Sequence, residues 1–184
     1  MQPEHINDFN QCLAQSHAAE ELPIWEEVYR QAFPAFNGMV SYRQDGFWQR
    51  EGIDRGVILD TTKQIFIDEK IRGRNKRTGK VYNDIALEYL SNDRARTKGW
   101  VCKPLRADYI AYLIAPLGVC YLLPVIQLQN AWAKHKEQWK LAYQIIEAPN
   151  PGYKTVSCCV PANDVFKAMG QELRVNFEPF EVAA

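Results

Sequence analysis

GIDRGVILDTTKQIFIDEK, residues 52–70, is the stretch that decides the fold. Val57-Ile58-Leu59 and Gln64 to Glu69 are β-rich runs, and Asp60-Thr61-Thr62-Lys63 between them is turn chemistry, so residues 54–70 read as strand, turn, strand. Gly52 permits a tight change of direction before the first strand. Asp68 and Lys70 stand two apart on the second strand, so their side chains leave one face about 7 Å apart, while Glu69 leaves the other. A hairpin turning at 60–63 pairs residue 54 with residue 70 and gathers Asp54, Asp68 and Lys70 at one end. Two converging carboxylates repel each other unless a cation lies between them, which is the physical case for a divalent metal. Oxygen donors suit Mg²⁺ or Mn²⁺ better than zinc, and the Glu69 backbone carbonyl would complete the protein's share of the shell. Lys70 beside such a site would hold a water and offset developing negative charge.

Upstream, Pro23 opens a helix in which Trp25, Val28, Tyr29, Ala32 and Phe33 form one stripe, and Pro34 ends it. Gly38 to Gln49 reads as extended chain with a polar turn at Gln44-Asp45-Gly46. Downstream, six of the eleven residues from Lys70 to Lys80 are basic (Lys70, Arg72, Arg74, Lys76, Arg77, Lys80) and none is acidic, which describes a loop around Gly73 and Gly79. Asn83 or Asp84 caps an expected helix through Leu90, with Asp84 and Glu88 on one side of it, and Gly99 to Cys102 reads as extended. Tyr109–Ala115 and Val119–Leu123 read as buried strands turning at Pro116-Leu117-Gly118. A helix from Pro124 to Tyr143 carries Leu128, Trp132, Trp139 and Tyr143 on a packing stripe. A strand from Thr155 to Val160 and a short helix from Asn163 or Asp164 to Met169 complete a mixed α/β order without repeats.

The 184 residues are 47% hydrophobic, enough to bury one core, so residues 1–184 are expected to form a single domain. With 22 basic and 22 acidic residues the net charge is zero, which argues against indiscriminate coating of nucleic acid and leaves the segregated basic segment as the informative feature. The N-terminus has neither a basic n-region nor an apolar h-region, so the expected location is the cytoplasm. The apolar stretch Tyr109 to Ile126 is cut by Pro116, Gly118 and Pro124 into strand-length pieces, so no membrane partner is expected. Five cysteines without C-x-x-C spacing and three scattered histidines exclude a structural zinc pattern, and Cys120, Cys158 and Cys159 read as small core hydrophobes.

Gly52-Ile53-Asp54 followed by Ile65-Phe66-Ile67-Asp68-Glu69-Lys70 resembles the motif of the PD-(D/E)XK (restriction endonuclease-like) nuclease superfamily. The resemblance covers about residues 22–125 and leaves the later strand and helices as additions. It implies an α/β fold with a mixed central sheet, an antiparallel meander and flanking helices, and Mg²⁺-dependent (or Mn²⁺-dependent) endo- or exonucleolytic hydrolysis of phosphodiesters, with DNA the expected partner. The extended pattern Gln49-Arg50-Glu51-Gly52-Ile53-Asp54 is similar to that of small members associated with phages and mobile elements. Asp54 and Asp68 would bind metal and Lys70 would position water. Members often carry a further acid on the first helix, for which Glu26, bordering the apolar stripe, is chosen over Glu27. Ile53 stands where the named motif has proline, and Glu69 occupies its variable position.

Around this centre, Gln49, Arg72, Arg74, Lys76, Arg77 and Lys80 are the expected nucleic-acid contacts, with Arg94, Arg96 and Lys98 as an extension of the patch and Trp48 as a residue on which a base could stack. Two other readings stay open: a catalytically inactive nucleic-acid-binding or assembly protein on the same fold, and an unrelated α/β domain in which Asp68 and Lys70 form a surface ion pair. Many duplex-cutting enzymes are homodimers, but no heptad or exposed apolar stripe decides this.

Overall fold

The computed structural model describes residues 22–75 and 78–172. The expected hairpin is present as β2 (Arg55–Leu59) and β3 (Gln64–Arg72), antiparallel neighbours. Its register corrects the expected one. Arg55 stands opposite Ile67 and Ile58 opposite Gln64, so residue 54 falls opposite 68 and not 70. The turn is the cause. The Leu59 N–H donates to the Lys63 carbonyl at 2.9 Å, the Thr62 N–H donates to the Leu59 carbonyl at 2.8 Å, and Thr62 sits at φ +63°. This is a three-residue loop, a type I turn closed by a left-handed residue.

β1 (Phe36–Ser41) pairs antiparallel with β2, and β6 (Tyr109–Ile114) lies parallel to β3, with Ile67 beside Tyr109 and Arg72 beside Ile114. β7 (Val119–Pro124) closes the sheet antiparallel to β6, giving the order β1-β2-β3-β6-β7. These last two strands match the pair read from the sequence, with β6 buried as expected and β7 buried only at Leu123. Because β2 ends its pairing with β3 at Arg55–Ile67, residues 68–72 of β3 have a strand only on the β6 side.

β4 (Asp84–Asn92), β5 (Thr97–Lys98), β8 (Gln144–Asn150) and β9 (Tyr153–Pro161) form a second, antiparallel sheet in the order β5-β4-β9-β8. The helix expected from Asn83 or Asp84 to Leu90 is therefore a strand. Ile85 and Leu87 alternate into the core at 0% exposure, and pairing with β9 outweighs the helix propensity of Ala86, Leu87 and Glu88. Extended chain at Gly99–Cys102 is corrected to a turn, and β8 was not anticipated. β9, expected at Thr155–Val160, pairs with β4 from Asp84–Pro161 to Leu90–Val156 and with β8 on its other side, so this late strand is central to the second sheet.

Four α-helices occur among the described residues: α1 (Ile24–Ala32), α2 (Gly46–Arg50), α3 (Val125–Ala142) and α4 (Ala162–Glu172). α1, α3 and α4 were expected. α2 replaces extended chain at Phe47–Gln49, because the Asp45 carboxylate accepts from the Phe47 and Trp48 N–H groups and caps a short helix. The five-stranded sheet has two dry faces. Trp25 and Tyr29 of α1 pack on Val57, Ile67, Ala111 and Leu113, whereas Ile110, Tyr112, Ile114 and Leu123 share a core with the second sheet and with α3 and α4.

Candidate active site

Alternation along β3 sends Asp68 and Lys70 to the face shared with the second sheet and Glu69 to the face under α1. Gly52, at φ +73°, turns the chain tightly against Leu105, which leaves no space for a Cβ, and Asp54 follows two residues later at the vacated edge of β3. There its N–H donates to the Ile67 carbonyl at 2.9 Å and its Oδ2 accepts from the Glu69 N–H at 2.7 Å, so the Asp54 side chain takes the place of a missing strand partner.

On the second-sheet face, the Lys70 ammonium donates to Asp68 Oδ1 and lies 3.5 Å from the Glu69 carbonyl oxygen. Asp68 is 5% exposed and Lys70 31%, so this is no surface ion pair. Burial is the largest influence on Asp68; the Lys70 ammonium opposes it and the Asp54 carboxylate adds to it, leaving Asp68 pushed up to about 6. Burial pulls Lys70 down, but Asp68 and Asp54 outweigh it and hold the ammonium above its ordinary range. The structure thus brings Asp54, Asp68 and Lys70 together, with Asp54 opposite Asp68 in place of Lys70.

The α1 face carries a network that the sequence reading missed. Glu69 Oε1 accepts from the Tyr29 hydroxyl at 2.6 Å and from Arg55 Nε at 3.0 Å, while its Oε2 accepts from Arg55 and Arg43 guanidinium nitrogens at 3.2 Å each. The same Arg43 nitrogen lies 3.1 Å from Asp54 Oδ2, tying the two faces together at the strand edge. Glu69 was expected to act only through its carbonyl. The one available signal was Arg55, directly after Asp54 on a strand whose odd-numbered residues face α1.

Other expected site residues fall elsewhere. Glu26 is 53% exposed and pairs with Arg30 at 2.7 Å, one turn along α1, so it is not gathered with the two aspartates. It is Tyr29, one turn further, that points α1 at β3. Arg72 is 18% exposed and bound to Asp84 at 2.6 Å, which makes it a structural cation between the sheets. Arg74 and Lys80 are exposed on the loop, and Gln49 is exposed on α2. Lys76 and Arg77 lie outside the described residues. Trp48 stacks on Phe66 at 5.4 Å between centroids and serves packing. Arg94, Arg96 and Lys98 belong to the far end of β4, eight residues or about 26 Å of strand from Asp84, and do not extend the basic loop.

Glu88 faces the same way as Asp84 on β4, as expected, though by strand alternation. Burial raises its carboxyl above the usual range, against the pull of Lys70, the Trp100 backbone and Lys103. Gly99 makes this possible by lying directly on the Glu88 backbone, where a Cβ would collide with the carbonyl. Among the described residues, no three His, Cys, Asp or Glu side chains are grouped as a ready-made metal cage, and no helix is long and apolar enough to cross a membrane. No protein-family model, no curated protein and no solved structure matches the chain, so its function has to be argued from its own residues.

Proposed function

We propose that the chain is a metal-dependent nuclease that hydrolyses phosphodiester bonds, with DNA as the substrate class, on a restriction endonuclease-like core made of α1, the β1-β2-β3 meander and parallel β6. What supports it most is the convergence of Asp54, Asp68 and Lys70 on one end of β3, with the ionisation of Asp68 suppressed by burial and, after it, by a second carboxylate. The order helix, antiparallel meander, parallel strand is that of the resembled core; the chain between β3 and β6 runs through β4 and β5 where that core has a helix.

The donor set fits a hard cation. Mg²⁺ is commonly held by one or two carboxylates with water filling the remaining positions, so Asp54, Asp68 and the Glu69 carbonyl suffice without a third acid. When bound, it would polarise a phosphoryl oxygen and lower the pKa of a water. The chain's own residues supply the rest. Lys70, already charged, would leave Asp68 for an attacking water or a phosphate oxygen and offset the negative charge that builds there. Arg43 and the Glu69 N–H fix the Asp54 carboxylate from behind. Arg74 and Lys80 would contact phosphates beside the scissile bond.

The second reading is an inactive nucleic-acid-binding or assembly protein. It is favoured by the two cations already in place, Lys70 on Asp68 and Arg43 on Asp54, which neutralise the acids without a metal. Incubating the wild type and Asp68→Ala with labelled duplex, single-stranded and branched DNA in Mg²⁺, Mn²⁺ or EDTA separates the two. The expected result is cleavage that requires metal and falls on the order of 10²–10³-fold in the variant. No cleavage of any substrate, together with no heat of Mg²⁺ or Mn²⁺ binding by calorimetry, would leave the inactive reading in its place.

A further inference from the structure

Lys70 has two surroundings. Its ammonium is bound to Asp68, and its side chain also forms part of the wall of a cleft of about 370 Å³ between the two sheets. On the first sheet, Lys70 and Tyr112 are register neighbours and line it together. On the second sheet, Glu88 of β4, Gln144 of β8 and Ser157 of β9 form the opposite wall. Trp100 closes one part, and Arg74 and the exposed Tyr82 belong to the loop at its rim.

The size of this cleft restricts what can approach Lys70 from that side. It is a volume for one small ligand. A B-form duplex, whose major groove alone is about 12 Å wide and 8.5 Å deep, cannot enter it. The lining restricts the chemistry. Arg74 offers a cation to a phosphate, the Gln144 amide and the Ser157 hydroxyl offer donors and acceptors to a base edge, and Trp100 and Tyr82 offer aromatic surface to a ring. An apolar ligand would strip water from Glu88 and Lys70 without replacing it.

The geometry points to a nucleotide subsite: the cleft takes one unpaired nucleotide of a nucleic-acid strand, adjacent to the group held at Lys70. This rests on the nuclease reading for its neighbour and adds the substrate class, a single strand or a frayed end in place of an intact duplex. A strand laid across Arg74 passes one residue into the cleft, and the next phosphate then lies beside Lys70. Free nucleoside monophosphate shares the chemistry of that residue but lacks the flanking phosphates.

Fluorescence anisotropy in EDTA tests this without cleavage, using labelled oligothymidylate, a labelled blunt hairpin duplex, and free thymidine monophosphate as competitor. The wild type should bind the single strand at least about tenfold more tightly than the hairpin, the scale of one stacked base. Gln144→Trp, on an exposed position of edge strand β8, fills the cleft and should abolish that preference. Tyr82→Ala, also exposed, should weaken single-strand binding severalfold, and both variants should keep the wild-type circular dichroism spectrum. Competition by the free monophosphate equal to that of the strand would make the occupant a small nucleotide and overturn the strand proposal. Equal affinity for hairpin and single strand, or a folded Gln144→Trp with unchanged preference, would overturn the subsite. The two readings fail separately. Metal-dependent cutting inside an intact duplex keeps the nuclease and removes the cleft, whereas single-strand binding lost in Gln144→Trp without any cleavage keeps the cleft and removes the nuclease.

Discussion

The two faces of β3 hold buried carboxylates one residue apart, and they are treated oppositely. Under α1, Glu69 is surrounded by Tyr29, Arg55 and Arg43, so both of its oxygens accept hydrogen bonds from groups packed in place. On the other face, Asp68 has the single ammonium of Lys70 as its cation, and burial first, then the repulsion of Asp54, outweighs that ammonium and holds its proton up to about 6. A carboxylate satisfied by fixed donors organises structure. One left next to another acid, with a single ammonium as its partner, retains capacity for a ligand. Acidic residues adjacent in sequence are thus sent to the scaffold and to the candidate site by nothing more than strand alternation.

The largest effect expected from disturbing this contrast is on the scaffold face. Glu69→Ala leaves Arg55 and Arg43 buried around a lost partner and should cost about 3–5 kcal/mol in urea unfolding, the usual penalty for breaking a buried ion pair. Asp68→Ala, measured alongside, should cost clearly less, because its removal also relieves repulsion with Asp54; equal costs would erase the distinction between the faces. Tyr29→Phe comes next. It deletes the hydroxyl that donates to Glu69 and should cost about 1.5–3 kcal/mol, typical of a hydrogen bond to a charged group. Burial and then the Glu69 charge keep this phenol protonated well above its ordinary range, so the cost should not change across neutral pH.

The smallest effect sharpens the second-sheet side. Burial raises Glu88 in the folded state, so the native protein binds this proton more tightly than the unfolded chain does. Stability from this group is therefore fully present below the ordinary carboxylate range and is lost as pH rises through the raised value. Glu88→Gln should raise the melting temperature at pH 7 by less than about 4 °C, the shift that roughly 1 kcal/mol makes in a domain of this size, and the gain should disappear toward acid pH. A gain that persists unchanged in acid would mean that the glutamine acts through packing and not through charge.

How much of this was legible in the sequence depends on which contacts decide each element. The hairpin was readable because Val57-Ile58-Leu59 and Ile65-Phe66-Ile67 are strand-forming whatever their neighbours. Its register was not, because Thr62 takes the left-handed position that glycine ordinarily marks, and that single residue shifts Asp54 from opposite Lys70 to opposite Asp68. β4 was misread as helix because Ala86-Leu87-Glu88 favour a helix locally, and only β9, some seventy residues later, makes them a strand. β8 contains Pro149, which argues against a strand unless it lies at an edge, as it does. Within the candidate site, spacing gave Asp54, Asp68 and Lys70; the stripe of α1 placed Tyr29 in the packing, but nothing local shows that its hydroxyl meets Glu69. Arg43 was invisible because its role depends on where β2 stops.

The parallel pairing of β3 with β6 also bears on how the chain folds. Thirty-six residues, 73 to 108, separate the two strands, and that interval contains β4, which is completed only by β9 near the end of the described chain. The nested arrangement makes the most valuable contacts the most distant ones, and such a topology folds on the millisecond-to-second scale of non-local proteins and not at the microsecond rates of helical bundles. Until β9 arrives during synthesis, β4 has one long edge without a strand partner, so the emerging chain depends on a late strand to hide an aggregation-prone edge.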